Sequence, residues 1–369
     1  MNIKYLAALA TTVGTMVGAG ILALPYAISR AGFIYGLLLF LIVGSASLFI
    51  TLYTGELSEK SEKMHQLPIL VSRYAGIKLR TAILIFEVLT VYGVQVAYLV
   101  ALGVILNYIF AIPYALSVVI VLLLASPLVY KGYKAVEDAE IPLVIIKLAL
   151  IAIASAIILL SFKPSNIAFS DINKLFVPFG VILFSLGGYT VIPEIKEELG
   201  KNKRELTSVI VVSYLIAIGV YLLFSFAFIG AFGQNVAIIA TDSVTSSSYV
   251  LIFYVTALFL LVTPYIALGL VLTDAFYYDF KVGRFKSTLI SVFIPFVIAI
   301  VEPTFETLLS ITGGIFLSIL SLLLLFAVYR ERSRKKEKGL YRVRGGNYLL
   351  FFTGFIMILG LVYTVSSFL

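Results

Sequence analysis

Long apolar runs follow one another along this chain of 369 residues, separated only by short polar stretches. A helix of about 20 apolar residues crosses the roughly 30 Å hydrocarbon layer of a membrane. Because lipid offers no partner for backbone N–H and C=O groups, a spanning segment of this length is a helix that bonds its own backbone. With 61% hydrophobic and 12% charged residues, the composition is typical of a polytopic membrane protein. The sequence therefore predicts an all-α membrane protein.

Eleven of these runs are long enough to span the bilayer, and we predict one transmembrane helix for each. Predicted helices 1 to 11 cover approximately residues 5–29, 33–57, 80–111, 114–130, 140–161, 174–199, 206–232, 247–278, 287–302, 305–329 and 347–368. The first run is longer than the core of a usual signal peptide and lacks a small-x-small cleavage pattern, so we expect it to be retained.

The positions of lysine and arginine predict the orientation, because cytoplasmic loops carry an excess of both residues. If the N-terminus is cytoplasmic, all but four of the 27 Lys and Arg residues fall in cytoplasmic segments. The exceptions are Arg30, Lys163 and Lys174 in outside loops and Lys147 within helix 5. We therefore predict an N-in, C-out protein. The net charge of +8 then reflects topology and contact with the anionic lipid bilayer, and we expect no nucleic-acid partner.

Two of the predicted helices are interrupted by glycines at mid-membrane depth. Helix 1 carries Gly14, Gly18 and Gly20, helix 6 carries Gly187 and Gly188, and each set is followed by a proline. Glycine is a poor helix former, and a helix opened in lipid must line a cavity or be buried in protein. Because helix 6 lies five helices after helix 1, the two cross the membrane in opposite directions. Corresponding broken helices in inverted halves are the sequence pattern of a transporter's binding site.

This pattern predicts the organisation of the chain. We expect a first five-helix repeat over residues 1–162, a second, inverted repeat over residues 163–330, and a basic cytoplasmic loop with helix 11 over residues 331–369. An alternative for helix 1 alone is that Gly14 and Gly18 only form a close-packing face between helices.

A break places helix ends inside the membrane, and the polarity of those ends predicts a ligand. The outer half of helix 1, beginning near Ile21, would direct its backbone N–H groups and positive dipole end inward, which suits a carboxylate. The outer half of helix 6, ending near Leu186, would present carbonyl groups, which suit an ammonium group. Together they predict a receptor for a small zwitterion, of which an α-amino acid is the obvious example.

The candidate substrate-binding residues lie at the two breaks and on helix 3. Along helix 3, Glu87, Gln95 and Tyr98 share one face and form a polar stripe. An aromatic side chain beside the second break would cover the substrate, although most aromatic residues in such a chain serve packing. The predicted set is Thr15, Gly18, Ala19, Gly20, Gln95, Tyr98, Phe184, Ser185, Gly187, Gly188 and Tyr189.

Lys147 is the most informative charged residue. It lies about six residues into helix 5, where an ionised side chain costs on the order of 2.5 to 3.5 kcal/mol on insertion scales. Burial disfavours the charged form of a lysine, so we predict that Lys147 takes up and releases a coupling proton. Glu87, in the cytoplasmic third of helix 3, is its predicted partner. The alternative is that Lys147 extends to the cytoplasmic surface.

Few other residues carry chemistry. No acidic residue lies near the first break, so sodium is a less favoured coupling ion than the proton. Thr263, before a proline in helix 8, and Thr312, before two glycines in helix 10, mark irregularities that could line an ion path. Cysteine is absent and the single histidine, His65, lies in a polar stretch, so we expect no metal site, no cofactor and no enzymatic activity.

Both glycine motifs resemble a known family. Residues 17–27, VGAGILALPYA, and residues 187–195, GGYTVIPEI, which lead into residues 203–206, are similar to the amino acid/auxin permease family and its bacterial branch, the hydroxy and aromatic amino acid permeases. One departure is Tyr189 or a neighbour, where many eukaryotic relatives have histidine. The resemblance implies the LeuT-like fold of the amino acid-polyamine-organocation superfamily. It also implies that Lys147 fills the place of a bound sodium ion.

Together, residues and resemblance predict a prokaryotic plasma-membrane symporter that couples a neutral, aromatic or hydroxy amino acid to protons. The resemblance implies alternating access in which helices 1, 2, 6 and 7 rock against the others. Sodium-coupled symport and uncoupled exchange are the alternatives within transport. From other classes, an amino acid sensor would normally carry an output domain, and an ion channel would repeat a pore element around an oligomer.

Overall fold

The structure is a computed structural model that describes residues 3–59, 76–131, 140–200, 203–244, 249–279, 281–301, 304–333, 343 and 346–369. Within these ranges the chain is helical, apart from connecting turns and an isolated bridge between Gly32 and Ser170. His65 and residues 334–342 of the basic stretch lie outside the described residues.

The described residues of the first half of the chain form one broken and four continuous helices. Their bounds are Ile3–Met16 (helix 1a) and Gly20–Ala31 (helix 1b), Phe33–Glu59 (helix 2), Ile77–Phe110 (helix 3), Tyr114–Lys131 (helix 4) and Glu140–Leu159 (helix 5).

The second half begins with another broken helix. This helix 6 consists of Phe179–Ser185 (helix 6a), a 3-10 turn at Gly188–Val191 and Ile192–Leu199 (helix 6b). The helices that follow are Lys203–Phe232 (helix 7), Val250–Asp274 (helix 8), Arg284–Ala299 (helix 9), Phe305–Ile311 with Ser318–Ser333 (helix 10) and Gly346–Phe368 (helix 11).

The prediction of an all-helical, multi-pass membrane protein is confirmed. Among the described residues, eight helices are long and apolar enough to cross a membrane, or nine when helices 1a and 1b, bent by 50°, are taken as one span. The two predicted helices outside that count are helix 6, which is broken into short pieces, and helix 9, which has 16 residues. Eleven crossings and the N-in orientation stay predictions.

Helix 1 lies in the interior of the bundle. In helices 3 and 10, 67% and 61% of the residues in the most apolar stretch are buried. In helices 4, 5 and 11 the buried shares are 28%, 33% and 33%, so these helices lie at the periphery. In helix 1b, Ile21, Leu22 and Leu24 are completely buried. Helix 1 packs against helices 2, 5, 6 and 7. The backbone opened at the first break is therefore enclosed by protein, as the absence of water in lipid requires.

Helices 6 and 10 approach each other through glycines. A Cβ added at Gly313 would lie 1.8 Å from the carbonyl oxygen of Gly180 in helix 6a. Between its two α-helical parts, helix 10 forms a π-helical turn at Thr312–Leu317, where the sequence predicted an irregularity. Helix 8, in contrast, continues through Pro264 as one helix.

Candidate functional site

The first break occupies residues 17–19 between helices 1a and 1b. The N–H of Gly18 donates to the carbonyl of Met16 at 2.9 Å, which closes a three-residue turn instead of a helical bond to the residue four positions earlier. Helix 1b then begins at Gly20, and its axis differs by 50° from that of helix 1a. The unwound turn contains Gly18, one of the three glycines that the sequence predicted to interrupt helix 1.

The second break repeats this geometry. The N–H of Gly188 donates to the carbonyl of Leu186 at 2.8 Å, so the same three-residue turn ends helix 6a. The 3-10 turn that starts at Gly188 leads into helix 6b. Each break therefore centres on a glycine that folds back on the second residue before it.

The two breaks lie against each other. A Cβ added at Gly20 would lie 2.1 Å from the Oγ atom of Ser185, and a Cβ added at Gly188 would lie 3.0 Å from the side chain of Met16. Only glycine has no Cβ, so these two positions allow helices 1 and 6 to approach on both sides of the breaks. The structure thus brings Gly18, Gly20, Ser185 and Gly188 into one region.

Lys147 reaches the first break from helix 5. Its side chain is 3% exposed, and its ammonium donates to the carbonyls of Val17 at 3.0 Å and Gly14 at 3.3 Å. In an unbroken helix the Gly14 carbonyl would accept from the N–H of Gly18, which here donates to Met16 instead. Lys147 therefore satisfies backbone acceptors that the break leaves free.

Tyr98 of helix 3 also lies at the first break. Its hydroxyl oxygen would be 1.9 Å from a Cβ added at Gly18, and it is hydrogen-bonded to the backbone of Ala19. Ala19 directly precedes helix 1b, whose N-terminus carries a partial positive charge. The hydroxyl of Tyr98 is therefore beside the helix end that the sequence predicted to receive a carboxylate.

Two tyrosines that were not predicted extend from helix 7 into the breaks. The Tyr221 hydroxyl is within hydrogen-bonding distance of the carbonyls of Met16 and Ser185, the latter at 2.9 Å. The Tyr214 hydroxyl donates to the carbonyl of Leu186 at 2.7 Å. The two tyrosines are seven residues apart and therefore share one face of helix 7, which is the signal that could have identified them.

Gln95 has its hydrogen-bond partners in helices 8 and 9. With its amide oriented so that both ends are satisfied, it donates to the Ser291 carbonyl at 3.1 Å and accepts from the Gly269 N–H at 3.0 Å. It thus joins helix 3 to helices 8 and 9. The Tyr189 hydroxyl donates to the Leu317 carbonyl of helix 10 at 3.3 Å.

The remaining predicted residues have simpler surroundings. Glu87 interacts electrostatically with Tyr189, and its pairing with Lys147 stays a prediction. Thr312 packs on helix 3, where a Cβ added at Gly93 would lie 2.3 Å from its hydroxyl. The hydroxyls of two other threonines, Thr15 and Thr263, bond to carbonyls within their own helices. Phe184 is partly buried beside Ser185. A Cβ added at Gly187 would lie 3.4 Å from the side chain of Leu317 in helix 10. Within the described residues, no group of three or more His, Cys, Asp or Glu is placed to hold a metal ion.

Two helices, both broken at glycines and packed together inside an apolar bundle, define a membrane protein of the LeuT-like fold. Solved structures share this fold. MhsT, determined in complex with L-phenylalanine, matches with a TM-score of 0.71 and 16% identity over 100% of this chain and 98% of its own. A manganese transporter of Eremococcus coleocola matches with a TM-score of 0.71 and 13% identity over 99% of this chain and 87% of its own.

The chain belongs to the tryptophan/tyrosine permease family, whose model matches residues 1–366. Two similar proteins are the tyrosine-specific transport systems 1 and 2 of Haemophilus influenzae. Each is 25% identical to this chain, over 96% of this chain and 94% of the relative. Membership in this family makes the protein a multi-pass plasma-membrane transporter of amino acids and not an enzyme.

Proposed function

We propose that the protein is a proton-coupled symporter of a neutral aromatic amino acid and that the substrate binds at the two breaks. The observation that carries the proposal is the buried Lys147 ammonium, which donates to the carbonyls of Val17 and Gly14 at the opened turn of helix 1. The aromatic substrate is supported by the relatives, which are tyrosine-specific transport systems, and by the L-phenylalanine bound to MhsT.

The helix ends at the breaks match the two charges of an amino acid. Helix 1b begins at Gly20, and its positive dipole end suits the carboxylate, with the Tyr98 hydroxyl beside it. Helices 1a and 6a end at Met16 and Ser185, and their last carbonyls suit the ammonium group. One zwitterion would thus be held by both broken helices.

Lys147 gives a physical link between the proton and helix 1. A protonated lysine donates charge-assisted hydrogen bonds to helix 1, and such bonds are stronger than those of a neutral amine. Loss of the proton would therefore weaken the connection between helix 5 and the opened turn, and its return would restore it. The proton state of Lys147 would thus bias the position of helix 1 during alternating access.

The same contacts disfavour sodium at this position. A sodium ion needs several oxygen ligands, and the free carbonyls of Gly14 and Val17 are the acceptors that the break offers there. Both already receive the ammonium of Lys147. A fixed internal cation at these oxygens would repel a second one.

Alternating access would follow from the two-repeat organisation. We propose that residues 1–162 and 163–330 are inverted repeats and that residues 331–369 are an addition to them. Helices 1, 2, 6 and 7 would rock against the other helices, so that the breaks face each side of the membrane in turn.

Uptake into proteoliposomes tests this function. The purified protein is reconstituted, and accumulation of radiolabelled L-tyrosine, L-phenylalanine and L-tryptophan is measured with an imposed pH gradient and then with an imposed sodium gradient. We expect accumulation with the inside-alkaline pH gradient, loss of accumulation with a protonophore, and no response to sodium. Accumulation driven by sodium, or only one-for-one exchange without response to either gradient, would contradict proton-coupled symport.

A further inference from the structure

Two carbonyl groups from different broken helices point to one position inside the bundle. Met16 is the last residue of helix 1a, and Ser185 is the last residue of helix 6a. The last carbonyls of a helix lack an N–H partner four residues on, and they carry the partial negative charge of the helix dipole. Two such ends at one position favour a cation with several N–H donors.

The group at this position is the phenol of Tyr221. This residue of helix 7 is completely buried, and its hydroxyl contacts both carbonyls. A hydroxyl has a single proton, so it donates to one carbonyl at a time and turns oxygen lone pairs toward the other. Tyr221 therefore connects the two helix ends through a single proton, and neither carbonyl receives a charged donor from it.

The neighbouring carbonyls of the same break show the contrast. Gly14 and Val17 receive the ammonium of Lys147, which has three N–H donors and a positive charge. The Met16 carbonyl, between them in sequence, receives two neutral donors, the N–H of Gly18 at 2.9 Å and the hydroxyl of Tyr221. The acceptors at the break are thus divided between a resident cation and a position where a cation is lacking.

We propose that the Tyr221 hydroxyl is an internal substitute for the substrate's ammonium group. It occupies the position between the two carbonyls in the empty transporter, and the ammonium group displaces it when substrate binds. This inference rests on the proposed function. An ammonium group offers both carbonyls a donor, and its charge-assisted hydrogen bonds are about twice as strong as those of a neutral group. The exchange therefore favours an α-amino acid, and a ligand without the amino group does not displace the tyrosine. Tyr221 acts as a positioning residue that selects for the ammonium group.

A second tyrosine offers a matched control. Tyr214 lies two turns earlier on the same face of helix 7, and its hydroxyl bonds to the Leu186 carbonyl and to the hydroxyl of Thr51 in helix 2. It contacts the second break but not the carbonyls of helix 1a. The ring of Tyr221 packs edge-on against Phe40 with ring centroids 6.2 Å apart, and a phenylalanine would keep that contact.

The test compares two ligands in three proteins. Binding of L-tyrosine and of 3-(4-hydroxyphenyl)propionate, which is tyrosine without the amino group, is measured by isothermal titration calorimetry for the full-length wild type, Tyr221→Phe and Tyr214→Phe. We expect Tyr221→Phe to bind L-tyrosine about 5- to 10-fold more tightly, the effect of one competing hydrogen bond, and to leave the affinity for the propionate unchanged. Tyr214→Phe should not change the ratio of the two affinities in this way.

Every other pattern overturns the inference. Weaker L-tyrosine binding by Tyr221→Phe would mean that the hydroxyl binds the substrate. An equal gain in affinity for L-tyrosine and for the propionate would mean that the effect does not depend on the ammonium group. If the wild type binds no aromatic amino acid, the proposed function fails and this inference fails with it. If the wild type binds L-tyrosine but Tyr221→Phe binds it more weakly than the wild type does, only this inference fails.

A second measurement does not depend on removing the hydroxyl. 3-Fluorotyrosine is incorporated at position 221, and its fluorine resonance is followed while ligand is added. We expect L-tyrosine to shift the resonance and the propionate to leave it in place. An unchanged resonance at saturating L-tyrosine would overturn the displacement.

Discussion

The ammonium of Lys147 donates to the carbonyl of Val17 at 3.0 Å, across 130 residues of sequence, and so joins helix 5 to the opened turn of helix 1. This bond connects the charge that is costly in a membrane with the backbone acceptors that are costly to leave free. The ammonium gains hydrogen-bond acceptors, and the carbonyls gain a hydrogen-bond donor. The pairing explains how both features persist in the interior of an apolar bundle.

Replacement of Lys147 by Met should separate binding from coupling. The variant keeps a long apolar side chain but has no proton to exchange, so gradient-driven accumulation should be lost, whereas L-tyrosine binding remains measurable. A pH gradient of one unit supports about tenfold accumulation when one proton accompanies each substrate, and the variant should fall to equilibration. Radiolabelled uptake in proteoliposomes measures this.

Lys174→Met is the control for this variant, because the Lys174 side chain is 52% exposed and pairs with Asp171 three residues earlier at 3.6 Å. It should accumulate substrate as the wild type does. Undiminished accumulation by the Lys147 variant would refute the role of Lys147 in coupling.

Gly20→Ala tests the close approach of the two breaks. The new Cβ would lie 2.1 Å from the Oγ atom of Ser185, so helices 1 and 6 must separate. Overpacking of this kind costs about 1 to 3 kcal/mol, and we expect lower thermal stability together with weaker L-tyrosine binding. Addition of Ser185→Gly should restore part of both losses, which a double-mutant cycle measures.

Gly219→Ala provides the matched control, because no atom lies within 4 Å of the added Cβ. This substitution in helix 7 should leave binding unchanged and stabilise the helix by about 0.5 to 1 kcal/mol. If Gly20→Ala behaves in the same way, the close contact between the breaks is not required.

Glu56 and Arg332 form a buried ion pair that joins helix 2 to helix 10. Their side chains are 1% and 2% exposed, two nitrogens of the guanidinium contact the carboxylate at 2.6 and 3.1 Å, and the Val343 N–H donates to the same carboxylate at 3.0 Å. Glu56→Gln leaves the arginine buried without its counter-charge, so the free energy of unfolding should fall by about 3 to 5 kcal/mol. Denaturation in detergent followed by tryptic cleavage measures the change.

The pair between Arg284 and Asp274 serves as the comparison, with side chains 27% and 35% exposed. Removal of a partly exposed pair costs about 0 to 1 kcal/mol, so Arg284→Gln should have a small effect. Equal losses of unfolding free energy for Glu56→Gln and Arg284→Gln would mean that burial of the Glu56 pair does not add to its contribution to stability.

Asp242 predicts a pH effect outside the membrane-spanning helices. It lies in the 3-10 turn Ala240–Ser243, and burial raises the pKa of its carboxyl to about 6, although the hydroxyl of Tyr254 at 3.3 Å partly opposes the shift. The folded protein therefore holds this proton where the unfolded chain has lost it. The stability contributed by this group is present at low pH and decreases as the pH rises from about 4 to about 6.

Asp242→Asn should remove this dependence. The difference in melting temperature between variant and wild type should be small at pH 4, grow in favour of the variant up to about pH 6, and then stay constant. A difference that does not change across this interval would refute the raised pKa of Asp242.

The breaks could be predicted because their signal is local. Glycines within an apolar run, as at Gly18 and Gly188, are costly in any lipid-spanning helix, and this cost does not depend on the neighbours. The same holds for Lys147, whose charge is costly anywhere in the span. Lys147 reaches the carbonyls of the first break, and Gly188 of the second break lies against Met16 beside it.

The neighbours of residues with ordinary local patterns could not be predicted. Helical periodicity assigned Gln95 to a polar stripe, but 67% of the residues in the most apolar stretch of helix 3 are buried, so most of that helix is in contact with protein. The pattern did not distinguish the breaks from helices 8 and 9, to which Gln95 bonds. Tyr214 and Tyr221 escaped selection because aromatic residues in an apolar run usually serve packing, and only tertiary contacts show the partners of their hydroxyls.

Proton movement itself is the most direct test of the account. Proteoliposomes that contain the wild type or the Lys147→Met variant are loaded with the pH indicator pyranine at equal pH on both sides, and L-tyrosine is added outside. Under proton-coupled symport, L-tyrosine acidifies the lumen of wild-type vesicles, and the Lys147→Met variant gives no such signal. L-tyrosine entry without acidification in the wild type, or undiminished acidification in the variant, would contradict it.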